Sequence, residues 1–131
     1  MIGLDTNVLA RFFGQDDPVQ SPKANAILDS LTTEEPGWVA TAALLELVWV
    51  MTSKFRADRT GVCRVVDVLM SRSEIVIENS DLARRALNQY RHGSADFADC
   101  LIASHAENAG CVQTLTFDID AAKTAGMTLI S

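Results

Sequence analysis

Short apolar segments alternate with longer helical segments along the chain, and this alternation constrains the fold more than any other feature. The predicted strands are residues 1–4, 37–41, 74–78, 112–117 and 127–131, of which 1–4 and 112–117 are expected to be buried. The predicted helices are residues 5–14, 21–31, 42–55, 60–72, 80–93, 95–110 and 118–126. Strands that alternate with helices form parallel sheets covered by helices. The sequence therefore predicts one domain over residues 1–131, a three-layer α/β/α sandwich with a mainly parallel central sheet.

Local signals refine these elements. The helix over residues 80–93 is expected to bury a face made of Ala83, Ala86, Leu87 and Tyr90. Ser21 is expected to be an N-cap, with Pro22 at the first helical position. No apolar run approaches the about 20 residues of a membrane span, and the segment MIGLD shows no basic leader, so a cytoplasmic protein is expected. The cysteines, Cys63, Cys100 and Cys111, form no paired motif and are expected to be reduced and mostly buried.

The net charge of −6, from 17 acidic and 11 basic residues, argues against a simple nucleic-acid binder, because such proteins usually carry a basic excess. The objection weakens if several acids are gathered in one site that holds cations. The position of the acids in the sequence is therefore informative.

Carboxylates follow the predicted strands. Asp5 comes directly after the first strand and Asp118 directly after the fourth. In parallel sheets, ligands bind at the carboxyl ends of the strands. Glu46 lies little more than one helical turn past the second strand, and Asp99 lies early in its helix, each among apolar neighbours. We therefore expect these acids to lie on one edge of the sheet.

Each acid also has a simpler explanation. Asp5 and Asp118 would serve as N-caps of the helices that follow, since Asp is among the best capping residues. Asp99 would be an ordinary helix-surface residue. Glu46 is expected to be buried, where an unpaired carboxylate is costly, so its simplest explanation is a buried ion pair with Arg11.

Taken together, the acids favour a metal site. Clustered carboxylates repel one another and favour protonation, a cost that a divalent cation removes. Mg²⁺ and Mn²⁺ prefer oxygen ligands, and Mg²⁺ also bridges to phosphate oxygens. His92 and His105 stand apart in the sequence, so a zinc site is not expected. The pattern indicates phosphoryl chemistry assisted by Mg²⁺ or Mn²⁺.

The segments LDTN, an isolated Glu in an apolar helix, DFADCLIASHA and TLTFD occur in this order and span nearly the whole chain. This set resembles the PIN-domain ribonucleases, and most closely the VapC toxins of bacterial toxin–antitoxin pairs. The resemblance implies an α/β/α endoribonuclease that depends on Mg²⁺ or Mn²⁺. It implies catalytic and metal-binding roles for Asp5, Glu46, Asp99 and Asp118. Supporting roles are implied for Thr6, Asn7 and Thr116, with Asp96 and Asp120 as secondary acids.

The resemblance also implies a reaction and partners. A water activated by the bound metal would hydrolyse an RNA phosphodiester, with Glu46 orienting that water and no side chain acting as nucleophile. A transfer or ribosomal RNA as substrate, a VapB-like antitoxin and a homodimer are implied. Basic residues are candidates for phosphate contact as a group, although each one alone is more simply a solvated surface residue. They are Arg11, Lys54, Arg56, Arg59, Arg64, Arg84, Arg85 and Arg91.

Two other classes compete with this interpretation. Another α/β phosphohydrolase would use a strand-end Asp as nucleophile. The haloacid-dehalogenase pattern requires DxD where this chain has DTN, and the central Asp and late Lys of a response-regulator receiver are not evident. The other class is a non-catalytic binding module with the same fold, and the intact set of acids counts against it.

Overall fold

Helices and parallel strands alternate in the order that the sequence predicts. The computed structural model describes residues 1–131 and contains two units, Met1–Glu78 and Asn79–Ser131. The strand pairs in both units are parallel, which confirms the predicted α/β class. The expectation that residues 1–131 behave as one domain stays a prediction.

The first unit is built on a three-stranded parallel sheet. Its strands are β1 (Ile2–Gly3), β2 (Gly37–Val39) and β3 (Ile75–Ile77), hydrogen-bonded in the order β1-β2-β3. Its helices are α1 (Thr6–Gly14), α2 (Gln20–Ser30), α3 (Thr41–Ser53) and α4 (Arg59–Ser71). Helices join these strands because two parallel neighbours need a long crossover connection.

Aliphatic side chains from the helices and from β2 form the core of the first unit. The largest that are fully buried are Leu9, Leu28, Val39, Leu44, Leu47, Val62, Val66 and Leu69. Helix α3 buries one face, which consists of Ala43, Leu44, Leu47, Val48 and Met51. Its opposite face is exposed.

The second unit consists of a helix pair, a two-stranded parallel sheet and a short helix. In chain order these are α5 (Ser80–His92), α6 (Phe97–Asn108), β4 (Leu115–Thr116), α7 (Ile119–Thr124) and β5 (Thr128–Leu129). The inner face that was predicted for α5 is confirmed, because Ala83, Ala86, Leu87 and Tyr90 are buried. Tyr90 contacts Phe97 of α6 edge to face, with 5.8 Å between the ring centroids.

The first and fourth strands are more exposed than predicted. Ile2 in β1 and Leu115 in β4 are both exposed, and so is Phe117 just after β4. The prediction of buried strands is wrong here. The reason is their place in the sheets: β1 is an edge strand, and β4 has β5 as its single neighbour.

Most helices begin one or two residues away from the predicted start, as α2 and α4 illustrate. Helix α2 begins at Gln20, because Asp17 Oδ1 accepts hydrogen bonds from Val19 N at 2.9 Å and Gln20 N at 2.7 Å. The Ser21 hydroxyl does not cap this helix, since it donates to Arg11 O at 2.9 Å. Helix α4 begins at Arg59, one residue before the predicted start.

The state of the cysteines and the length of the helices can be compared with the sequence predictions. All the cysteines are free thiols; Cys63 and Cys100 are buried and Cys111 is exposed. No helix combines the length and the apolar character needed to cross a membrane.

Candidate functional site

Asp5 stands at the start of α1 and caps it. Its Oδ1 accepts a hydrogen bond from Thr6 N at 2.9 Å, and its backbone carbonyl accepts one from Val8 N at 3.1 Å. The capping explanation is therefore confirmed for Asp5. The cap uses only one carboxylate oxygen. Because the side chain is exposed, the second oxygen is free to bind a ligand.

The two residues after Asp5 differ sharply in exposure. Thr6 is 6% exposed, and its Oγ1 has no hydrogen-bond partner. Asn7 is exposed at the next position of α1. A buried hydroxyl without a partner is unusual in proteins. Because Thr6 is adjacent to Asp5, its unpaired hydroxyl is consistent with a supporting role at a site around Asp5.

Glu46 does not lie where the sequence pattern suggested. It is exposed and unpaired, because it projects from the side of α3 opposite the buried face. The prediction that it is buried is wrong, and so is the alternative of an ion pair with Arg11. Arg11 instead binds Asp16 Oδ2 through Nη1 at 2.9 Å and Gln20 Oε1 through Nε at 2.8 Å. An exposed carboxylate is solvated by water and needs no cation for the protein to be stable. Folding stability therefore gives no reason for the acid at Glu46.

The second unit contains the acid with the clearest electrostatic perturbation. Asp99 is half-buried in the first turn of α6, three residues after Asp96, which occupies the N-cap position. Burial raises the pKa of Asp99 above its usual range, and the charges of Asp96 and Asp118 raise it further. No basic side chain compensates this charge. A carboxylate in such surroundings is stabilised either by a proton or by a bound cation.

Asp118 links the strand β4 to the helix α7. Its Oδ1 caps α7 by accepting from Ala121 N at 2.8 Å, while its own N–H donates to Thr116 Oγ1 at 3.0 Å. The capping explanation is thus confirmed for Asp118 as well. The cap holds the carboxylate in a defined orientation and leaves one oxygen available.

Asp120 has a structural partner that the sequence did not reveal. Its Oδ1 accepts from Ser94 Oγ at 2.9 Å, and Thr124 Oγ1 accepts from the backbone N–H of Ser94 and of Ala95 at 3.1 and 2.9 Å. These bonds attach the segment that enters α6 to α7. Asp120 therefore positions the segment before Asp96 and Asp99, and no motif spacing signals such a contact across 26 residues.

The donor chemistry of the second unit fits a hard cation. Asp96, Asp99 and Asp118 supply only oxygen donors, and the charges of Asp96 and Asp118 raise the pKa of Asp99 beyond the effect of its burial. Mg²⁺ and Mn²⁺ prefer such ligands, whereas zinc sites usually include Cys or His. No set of three or more His, Cys, Asp or Glu side chains is close enough in the structure to hold an ion. The acids therefore have the donor type and the charge that suit Mg²⁺ or Mn²⁺. They do not form a complete set of ligands around one point.

The basic candidates differ in how available they are. Arg11 and Lys54 both bind Asp16, at 2.9 and 3.4 Å. Partial burial raises the pKa of Asp16, but hydrogen bonds from Arg11, its own backbone and Lys54 outweigh this and lower the pKa overall. Arg56 is exposed beyond the end of α3 and takes a left-handed backbone conformation, with φ of 55°. The other exposed candidates are Arg64 on α4 and Arg84, Arg85 and Arg91 on α5.

Comparisons with known proteins identify the family to which this fold belongs. The PIN domain profile matches residues 2–127, so the chain belongs to the PIN-domain family. It is similar to a VapC ribonuclease of Aquifex aeolicus, with 24% identity over 116 residues that cover 87% of this chain and 84% of that protein. It is also similar to the crystal structure of Mycobacterium tuberculosis VapC20, a sarcin-ricin loop cleaving toxin. That match has 18% identity and a TM-score of 0.47, and covers 98% of this chain and 97% of the other. The predicted resemblance to VapC-type PIN domains is confirmed.

Proposed function

We propose that this protein is an endoribonuclease, dependent on Mg²⁺ or Mn²⁺, that acts as the toxin of a toxin–antitoxin pair. Membership of the PIN-domain family and similarity to a VapC ribonuclease support the class of reaction. One observation carries the metal chemistry: Asp99 is a half-buried carboxylate whose pKa is raised by burial and by Asp96 and Asp118, with no basic partner. Such a group favours a cation as its ligand.

The proposed catalytic residues are Asp5, Glu46, Asp99 and Asp118. Asp99 and Asp118 would hold the cation, with Asp96 adding negative charge. Asp5 has a carboxylate oxygen that its cap leaves free for a ligand. When bound, Mg²⁺ or Mn²⁺ lowers the pKa of a water and stabilises charge on the phosphate oxygens. Glu46, exposed and unpaired, orients the attacking water through a hydrogen bond.

The reaction needs no side-chain nucleophile. The oxygen of the oriented water forms a new bond to phosphorus as that water releases a proton to the solvent. The bond from phosphorus to the 3′ oxygen breaks, and the leaving oxygen takes up a proton from solvent water to become a hydroxyl. Thr6 and Asn7 shape the start of α1 around Asp5, and Thr116 holds the backbone at Asp118. Asp120 acts indirectly, through its hydrogen bond to Ser94.

The substrate and partners are proposed from the relationship to VapC proteins. The substrate is a transfer or ribosomal RNA, whose phosphates contact exposed basic residues such as Arg56, Arg64, Arg84 and Arg85. The protein partner is a small VapB-like antitoxin. The active form is a homodimer in the cytoplasm.

The proposal is tested with purified protein and total RNA in Mg²⁺, in Mn²⁺ and in EDTA. Cleavage is expected with either ion and is expected to stop in EDTA and in the Asp99→Asn variant. Persistent cleavage by metal-free protein would contradict the metal mechanism. The toxin role is tested separately by co-expression with the neighbouring gene, which is expected to relieve growth arrest and to co-purify.

A further inference from the structure

The exposed face of α3 carries a tryptophan that no part of the proposed mechanism uses. Trp49 is 68% exposed, although Trp has a large apolar surface and is highly buried on average. It makes no ring-stacking or cation–π contact in the structure. Exposed aromatic rings of this kind are typical of binding surfaces, where they supply a rigid, flat contact area.

Trp49 shares its helix face with Glu46. The two are three residues apart, so their Cβ atoms are neighbours at about 5–6 Å on the helix surface. Ala42 and Ser53 extend the same exposed face in either direction.

The chemistry of this face indicates what would cover it. A purely apolar protein surface would bury Glu46 without a partner, which is strongly unfavourable. A nucleobase instead offers a π face to the indole and N–H groups to the carboxylate. Beyond the end of α3, Lys54 and Arg56 are exposed, and Lys54 also binds Asp16 Oδ2 at 3.4 Å; such cations contact phosphates in nucleic-acid complexes. An acid, an aromatic ring and two cations therefore follow one another along this part of the chain.

We propose that Trp49 is a stacking platform for an unpaired base of the RNA substrate. The inference rests on the proposed function and deepens it, since it makes the substrate single-stranded at the point of contact. Stacking on an aromatic side chain is tolerant of base identity and is unavailable to a base inside a duplex. Trp49 is thus a positioning residue and takes no part in proton transfer.

Tryptophan fluorescence tests the contact directly. The chain has two tryptophans, and replacing the half-buried Trp38 by Phe leaves Trp49 as the only emitter. In EDTA, where the proposed reaction is stopped, titration with single-stranded ribo-oligonucleotides of A, C or U is expected to quench this emission. A self-complementary RNA duplex of equal length is expected to quench it much less.

Binding and kinetics of Trp49 variants complete the test. Trp49→Leu is expected to weaken single-strand binding roughly ten-fold and to raise KM with little change in kcat, while Trp49→Phe retains most of the affinity. Val68→Ala is the matched control, because Val68 is also an exposed apolar residue on a helix of the same unit. It is expected to bind and cleave like the wild type.

The possible outcomes separate the two proposals. RNA that is cut normally and bound equally well by Trp49→Leu overturns the stacking role and leaves the nuclease proposal standing. A wild type that neither binds nor cuts RNA overturns both. If Trp49→Leu instead loses the antitoxin or changes the oligomeric state while its KM is unchanged, the face belongs to a protein partner and the stacking role is refuted.

Discussion

Asp118 combines two roles that substitution can separate. Its Oδ1 caps α7 through Ala121 N at 2.8 Å, and its charge contributes to the raised pKa of Asp99. Asp118→Asn keeps an oxygen for the cap and removes the charge. Asp118→Ala removes both. Comparison of the two variants therefore distinguishes a helix cap from a metal ligand.

The magnitudes follow from these contacts. Loss of an N-cap side chain destabilises by about 1 kcal/mol, which for a chain of this size lowers Tm by about 4 °C. Asp118→Ala is expected to show this loss in EDTA. Asp118→Asn is expected to be at least as stable as the wild type there, because Asn caps as well as Asp and the repulsion of Asp99 is relieved. Both variants are expected to lose most RNA cleavage.

Asp58 provides the matched control. Its Oδ1 caps α4 by accepting from Gly61 N at 2.8 Å, the same distance and the same sequence spacing as the cap at Asp118. Asp58→Ala is expected to lose a similar amount of stability and to cleave RNA normally. The assays are thermal melting in EDTA and cleavage of total RNA in Mn²⁺.

Two results would refute this reasoning. Normal cleavage by Asp118→Asn would show that the residue is a cap and nothing more. An Asp118→Ala variant that melts no lower than Asp118→Asn would show that the hydrogen bond to Ala121 N contributes nothing to stability, because both variants lack the charge.

Three further predictions concern Glu46, Asp99 and Phe97. Glu46→Gln is expected to melt within about 0.5 kcal/mol of the wild type in EDTA, because the side chain is exposed and unpaired, yet to lose cleavage; a large fall in Tm would contradict its observed exposure. Because the pKa of Asp99 is raised in the folded protein, protonation of its carboxyl favours folding. This contribution to stability is fully present below the ordinary pKa of 3.8 and is lost as the pH rises through the raised pKa. Melting curves of metal-free Asp99→Asn should therefore show a gain over the wild type near pH 7 that disappears near pH 3, and a gain independent of pH would be inconsistent with this linkage. Phe97→Ala is expected to lose about 3–5 kcal/mol in urea unfolding, because the ring is fully buried against Tyr90, and Phe97→Leu should lose clearly less.

The order of helices and strands was determined by the sequence alone. Periodic apolar residues identify each element locally, so the buried face of α5 and most helix ends were predicted closely. The acids at strand ends and the ordered motifs also identified the PIN-domain family, since they depend only on residue type and position.

Tertiary structure decided which face of an element is covered and which charges meet. Helix α3 is apolar on both sides, so its periodicity could not show that Leu47 is buried and Glu46 exposed. The partners of Arg11 and Asp120 likewise come from other segments of the chain. Electrostatic interactions depend on distance through space and on burial, and neither quantity is encoded in the spacing of residues along the sequence.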